Sequence, residues 1–84
     1  REAKTCIENA EYLTKQLNEM NYPEVSMAPN QNIVVFQKPS DAIINKYQLP
    51  AEGGIAHVVV MQHITRSRID GFCRNLRDSL EQAD

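Results

Sequence analysis

The side chains of this 84-residue chain that could do chemistry are few and scattered. The imidazoles are His57 and His63, the thiols Cys6 and Cys73, and the lysines Lys4, Lys15, Lys38 and Lys46. A zinc site needs Cys and His at short ligand spacings, and these four residues match no such pattern, so no metal is expected. No serine sits in a G-x-S-x-G elbow, and no local pair of carboxylates suggests glycosidase chemistry. His57 stands inside an apolar run, where a core or interface role is the plainer reading and catalysis the sharper one. His63 follows at the exit of that run, where exposure is expected. Gly53 and Gly54 permit backbone geometry that a side chain would block, either to turn tightly or to lie against a ligand or neighbouring domain. Without a G-x-G-x-x-G or P-loop pattern they are not expected to cradle phosphate. The residues alone therefore assign no catalytic group.

Those groups must be positioned by a modest core. The composition is 42% hydrophobic and 24% charged with a formal net charge of −2, which is that of a folded domain. At this length folding buries only about 60–65% of the surface that the unfolded chain exposes. Nine Lys and Arg are outnumbered by eleven Asp and Glu and form no basic stripe, so nucleic acid is not an expected partner. No apolar run approaches the ~20 residues that span a bilayer, so no membrane is expected either. With no signal sequence the reading is cytoplasmic, and residues 1–84 form a single domain. Arg1 opens directly inside a helical pattern without a capping residue, which leads us to expect a piece excised from a longer polypeptide.

The central stretch runs from Gly53 to Met61 and reads as a strand buried on both faces, with Ile55, Val59 and Met61 on one side and Ala56, Val58 and Val60 on the other. Ile33 to Gln37 has the same character. Ahead of it, Val25 to Ala28 reads as a short strand, joined by the turn residues Pro29 to Asn32 into a hairpin. Three helices are expected. The first carries Ala3, Cys6, Ile7, Ala10, Leu13, Leu17 and Met20 on one stripe, with Glu11 and Lys15 paired off it, and ends near Asn21 because Pro23 disfavours helix at Tyr22. The second opens at Ser40 as N-cap, buries Ile43, Ile44 and Tyr47, and stops before Pro50. The third opens at Thr65, with Ile64 and Ile69 as a hydrophobic staple. Ile69, Phe72, Cys73, Leu76, Leu80 and Ala83 form its stripe, and Arg66, Arg68, Arg74 and Arg77 lie mostly off it as solvating charges. Both cysteines thus sit on apolar helix faces, where thiols pack as small hydrophobes. Gly71 inside the third helix costs about 1 kcal/mol relative to Ala, for which close packing is the expected reason.

The order α-β-β-α-β-α implies an α+β fold, a small and mainly antiparallel sheet with helices packed on one face. The other face awaits a missing layer.

Three runs, taken in order, carry a resemblance: Asn-Ile-Val-Val-Phe-Gln-Lys-Pro-Ser (residues 32–40), Lys-Tyr-Gln-Leu (46–49) and Glu-Gly-Gly-Ile-Ala-His-Val-Val-Val-Met (52–61). Together with His-Ile-Thr-Arg-Ser-Arg-Ile-Asp-Gly-Phe (63–72), they resemble the end of the pyridoxal-phosphate-dependent group II amino-acid decarboxylases, in the branch of bacterial histidine decarboxylases and plant serine decarboxylases. The resemblance implies the C-terminal small domain of a fold-type I enzyme. Its large domain would hold pyridoxal 5'-phosphate, and the whole would act as a homodimer on a small amino acid. Histidine is the substrate expected, giving histamine and carbon dioxide. A Schiff-base lysine follows Ser-x-His in that family, and no lysine here follows a histidine, so no catalytic or cofactor-binding residue carries over and the 84 residues alone are expected to be inactive. The small domain would help to close the substrate cleft and support the dimer, with contacts expected near Gly53, Gly54, His57 and His63. The rival reading is a stand-alone α+β module that binds a small molecule or a protein. It predicts a monodisperse chain, where a domain missing its partner layer predicts self-association through an exposed apolar face.

Overall fold

The computed structural model describes residues 2–28 and 31–82. Helix α1 (Glu2–Glu19) leads into strand β1 (Ser26–Met27) and strand β2 (Ile33–Gln37). Helix α2 (Asp41–Tyr47), strands β3 (Ala51–Glu52) and β4 (Ile55–Val59), and helix α3 (Arg66–Gln82) follow. The strands form one sheet in the order β1-β2-β4-β3, antiparallel at every step. Arg1, Pro29, Asn30 and Ala83, named in the sequence reading, lie outside the described residues.

The helix ends obey local chemistry. Asn21, in the left-handed region at φ 59°, closes α1 with a Schellman motif, in which Tyr22 N donates to Leu17 O at 2.9 Å and Asn21 N to Asn18 O at 3.0 Å. Ser40 caps α2 by accepting from Ile43 N at 3.4 Å, and Thr65 caps α3 by accepting from Arg68 N at 3.2 Å. The Glu11–Lys15 pair does not close. Among the described residues the ion pair is Lys38 Nζ to Asp41 Oδ1 at 3.3 Å.

Directly opposed residues of an antiparallel pair share a face. Val34 faces Val58 and Phe36 faces Ala56, and this inner face meets the helices: Ala10, Leu13 and Leu17 from α1, Ile43 from α2, and Ile69, Phe72, Cys73 and Leu76 from α3. An aromatic chain ties the layers together. Tyr22 meets Phe36 edge-on at 5.7 Å, Phe36 tilts against Phe72 at 6.0 Å, and Phe72 meets Tyr47 edge-on at 4.9 Å. Polar side chains pin the seams, with Asn9 Nδ2 donating to Ile64 O at 3.0 Å and the Tyr22 hydroxyl to Gln37 O at 2.9 Å.

The architecture is the expected α+β fold with helices on one face, and four details correct the reading. The stretch 53–61 is not a single strand buried on both sides. Gly53 and Gly54 (φ 62° and 82°) turn the chain between β3 and β4, and Val59 and Met61 are 49% and 48% exposed. The short β3 was not foreseen. Leu80 leaves the stripe of α3 and is 44% exposed, one turn beyond the last residue that meets the sheet. Gly71 owes nothing to close packing, because a Cβ added there meets no atom within 4 Å.

Candidate functional site

Among the described residues, β4 borders two surfaces that the fold itself leaves unfilled. The first is the outer face of the sheet. From β2 and β4 it displays Ile33, Val35, Gln37, Ile55, His57 and Val59, since Ile33 faces Val59, Val35 faces His57 and Gln37 faces Ile55. No helix covers it among the described residues, and neither central strand places a charged side chain on it. A solvated sheet face ordinarily alternates to polar outside. This one remains apolar around a half-buried imidazole.

The second surface is a groove of about 610 Å³ on the helix side of the free edge of β4. Val58, Val60 and Phe72 form its floor, Leu49 and Pro50 one wall, and Ile64 with α3 the other. Its polar groups are few. Asn75 Nδ2 donates to the Tyr47 hydroxyl at 2.5 Å at one end, and His57 and Arg68 stand at the rim. The lining contains no carboxylate. Tyr47, Leu49, Arg68, Gly71 and Asn75 were not singled out together by sequence, because they come from two helices and a link that only the fold brings side by side.

The four residues expected to contact a cleft do not converge on one point. Gly53 and Gly54 form the exposed β3–β4 turn at one end of β4. His57 sits mid-strand, its N–H donating to Pro50 O at 3.0 Å. His63 is exposed in the turn beyond the other end, which Ile64 N closes by donating to Met61 O at 2.9 Å.

Elsewhere the reactive groups are quiet. Cys6 and Cys73 are free thiols; burial, then the nearby Asp70 carboxylate, pushes the Cys73 thiol up to about 11, the opposite of a reactive cysteine. The Tyr12 hydroxyl donates to Asp70 Oδ1 at 2.6 Å while the Arg66 guanidinium lies 4.9 Å from the ring centre, a clasp between α1 and α3. The hydrogen bond to Asp70 raises the Tyr12 phenol above its ordinary range. Among the described residues no three His, Cys, Asp or Glu side chains gather as a metal site, and no helix is long and apolar enough to cross a membrane.

Comparison with known proteins gives this geometry a context. No family model matches the chain. It is similar to serine decarboxylase 3 of Oryza sativa subsp. japonica, with 38% identity over 77 residues that cover 90% of this chain and 17% of that protein. It is also similar to histidine decarboxylase of Solanum lycopersicum, with 42% identity over 73 residues that cover 86% of this chain and 17% of that protein. Among solved structures, L-methionine decarboxylase of Streptomyces sp. 590 superimposes with a TM-score of 0.83 at 23% identity, covering 92% of this chain and 18% of that one; this likeness is one of fold. The chain spans about a sixth of the length of the curated relatives it matches.

Proposed function

We propose, for a chain homologous to a segment of the serine and histidine decarboxylases, that it is the small C-terminal domain of a pyridoxal-phosphate-dependent amino-acid decarboxylase. The observation that carries this reading is sequence identity of 35–42% running through 86–93% of the chain. In the proposed enzyme a large domain of the same polypeptide holds the cofactor, and the protein works as a homodimer in the cytoplasm.

The residues of this chain do not fit a covalent cofactor site. Lys4, Lys15, Lys38 and Lys46 are all exposed, none lines the groove, and Lys38 is paired with Asp41. Pyridoxal phosphate supplies an electron sink when bound, and in this reading the lysine that holds it belongs to the large domain.

What the 84 residues contribute is a covering layer. The outer face at Ile33, Val35, Ile55 and Val59 supplies apolar area for the large domain, as two packed layers require. His57, at the centre of that face, then comes to lie at the domain junction beside the substrate cleft. Gly53 and Gly54 mark one end of the seam and His63 the other.

Histidine is the substrate we propose, supported by the 42% identity to the tomato enzyme. Serine is the second reading, supported by the rice enzymes, two of which align over 93% of this chain. The stand-alone binding module is disfavoured by the apolar outer face, which an independent domain would leave in water.

The test uses the full-length protein. A yellow absorption band that borohydride abolishes, together with release of carbon dioxide and histamine from histidine, is the expected outcome. Ethanolamine from serine in place of histamine shifts the reading to serine. A colourless full-length protein without decarboxylation refutes it.

A further inference from the structure

The hydrogen-bonding parity of β4 is fixed at three points. Val60 N donates to Asn32 O at 2.8 Å and Lys38 N donates to Gly54 O at 2.8 Å, so the even-numbered residues of β4 direct their backbone groups toward β2. His57 N donates to Pro50 O at 3.0 Å, so the odd-numbered residues face the other way, toward β3. That neighbour is short. Its pairing consists of Ala51 with Ala56 and Glu52 with Ile55, and Pro50 has no N–H to return to the His57 carbonyl. Further along, Gln48 turns left-handed at φ 53° and gives its N–H to Ile44 O as the cap of α2. Val59 therefore directs its N–H and C=O at an edge where no strand stands among the described residues. Natural sheets protect such edges with charge, proline or a covering element. Here the flanking side chains are Val59 and Met61, about half exposed.

A second, independent feature lies on the same edge. The groove beside it is walled by α3 through Arg68, Gly71 and Asn75, and Gly71 keeps that wall bare at a cost in helix propensity. No packed neighbour demands the glycine, because an added Cβ would meet open space. A helix-interior glycine that opens onto a groove leaves room for a side chain that enters from the edge of the sheet.

We propose that the free edge of β4 at Val59 receives one further β-strand, supplied by another part of the same polypeptide, whose alternate side chains enter the groove against Val58, Phe72 and Gly71. This rests on the reading of the chain as one domain of a longer enzyme. The backbone groups select the occupant, since an extended peptide offers the donors and acceptors at strand spacing that the His57 carbonyl and Val59 lack. The length of the seam selects the source. Few ladder bonds fit between Pro50 and the turn at Met61, which is too few to retain a free partner but enough for a segment held at high effective concentration by the chain itself. The relatives have about five-sixths of their length outside the region matched here.

Amide hydrogen exchange of the full-length protein tests this, with the borohydride-sensitive band recorded on the same sample. The expected result is a Val59 amide that exchanges at least about 100-fold more slowly than an unstructured peptide, and Gly71→Leu, which fills the groove, restores rapid exchange at Val59 while His57 stays protected. Val59→Pro supplies the matching variant. It removes only the outward N–H, a change that edge strands tolerate, and is expected to make the segment lying in the groove exchange freely while the Val60 amide stays protected. Rapid exchange at Val59 in a protein that keeps the band overturns the inference and leaves the decarboxylase reading intact. Protection that rises with protein concentration overturns it in favour of a second copy of the chain. Loss of the band with Val59 protected refutes the decarboxylase reading alone.

Discussion

Replacing Gly71 by alanine should stabilise the chain, and the structure gives both sign and size. Gly71 lies in the interior of α3, five residues after its first and eleven before its last. Glycine there has more backbone freedom to lose on folding than alanine, a difference of about 1 kcal/mol in a helix interior. Steric cost could cancel that gain, but the added methyl group meets no heavy atom within 4 Å. The net effect is therefore a gain of about 1 kcal/mol, roughly a five-fold increase in the folding constant. For a domain of this size it corresponds to about 4–8 °C in Tm. Urea denaturation followed by circular dichroism reads it directly. The midpoint should rise by roughly 0.3–1 M with the slope unchanged. An unchanged or lower midpoint would refute the reasoning, because it would mean that Gly71 is held in contact or that α3 does not span this residue. In the full-length protein the same substitution should gain less, since the side chains that enter the groove in the proposed arrangement would meet the methyl group.

Other outcomes follow from the packing and the titrating groups. Tyr22→Phe keeps the ring against Phe36 but leaves the Gln37 carbonyl without its 2.9 Å donor; a loss of about 1 kcal/mol is expected in the same denaturation assay. Leu17→Ala, at a residue with no exposed surface, should cost about 2–5 kcal/mol and lower the thermal midpoint sharply. Cys73 holds its proton more tightly folded than unfolded, at about 11 against an ordinary 9.0. Its contribution is thus complete below about pH 9 and lost as the pH rises toward 11, with Tyr22, also raised by burial, acting in the same direction above its own ordinary value. Urea midpoints measured from pH 8 to 11 should fall, and a flat profile would contradict the burial. In the proposed full-length decarboxylase His57→Asn should raise the substrate KM, and unchanged KM and kcat would leave His57 a purely structural residue.

The sequence was most readable where one residue decides a local conformation. Ser40 and Thr65 cap the helices they were expected to cap, and the stripe of Ala10, Leu13 and Leu17 faces the sheet because helical periodicity leaves it no alternative. The bare outer face was also legible, as two strands with more apolar residues than three helices on one side could cover. Strand β3 was not, since two residues show no period. The exposure of Val59 and Met61 belongs to that same uncovered face: apolar content shows that a strand can be buried on both faces, not that a second layer is at hand. The groove was out of reach for a different reason. Tyr47 and Asn75 are 28 residues apart, and nothing local announces that they meet. Gly71 shows its helix cost in the sequence, but whether packing or empty space lies above it depends on residues far away in the chain. Chemistry was the least legible, and resemblance rather than residue pattern pointed to it.

The contact between the first and last helices governs when this chain can fold. Asn9 bonds to Ile64 and Tyr12 to Asp70 across 55 and 58 residues, while β2 and β4 are separated by α2 and β3. Leu13 and Leu17 share one buried core with Ile69, Phe72 and Leu76 of α3, so α1 emerges from the ribosome long before the surface that buries it exists. Closing such long loops precedes any return from the contacts they enable. Burial of the α1 stripe should therefore wait until α3 is complete, with Leu13 and Leu17 uncovered until then.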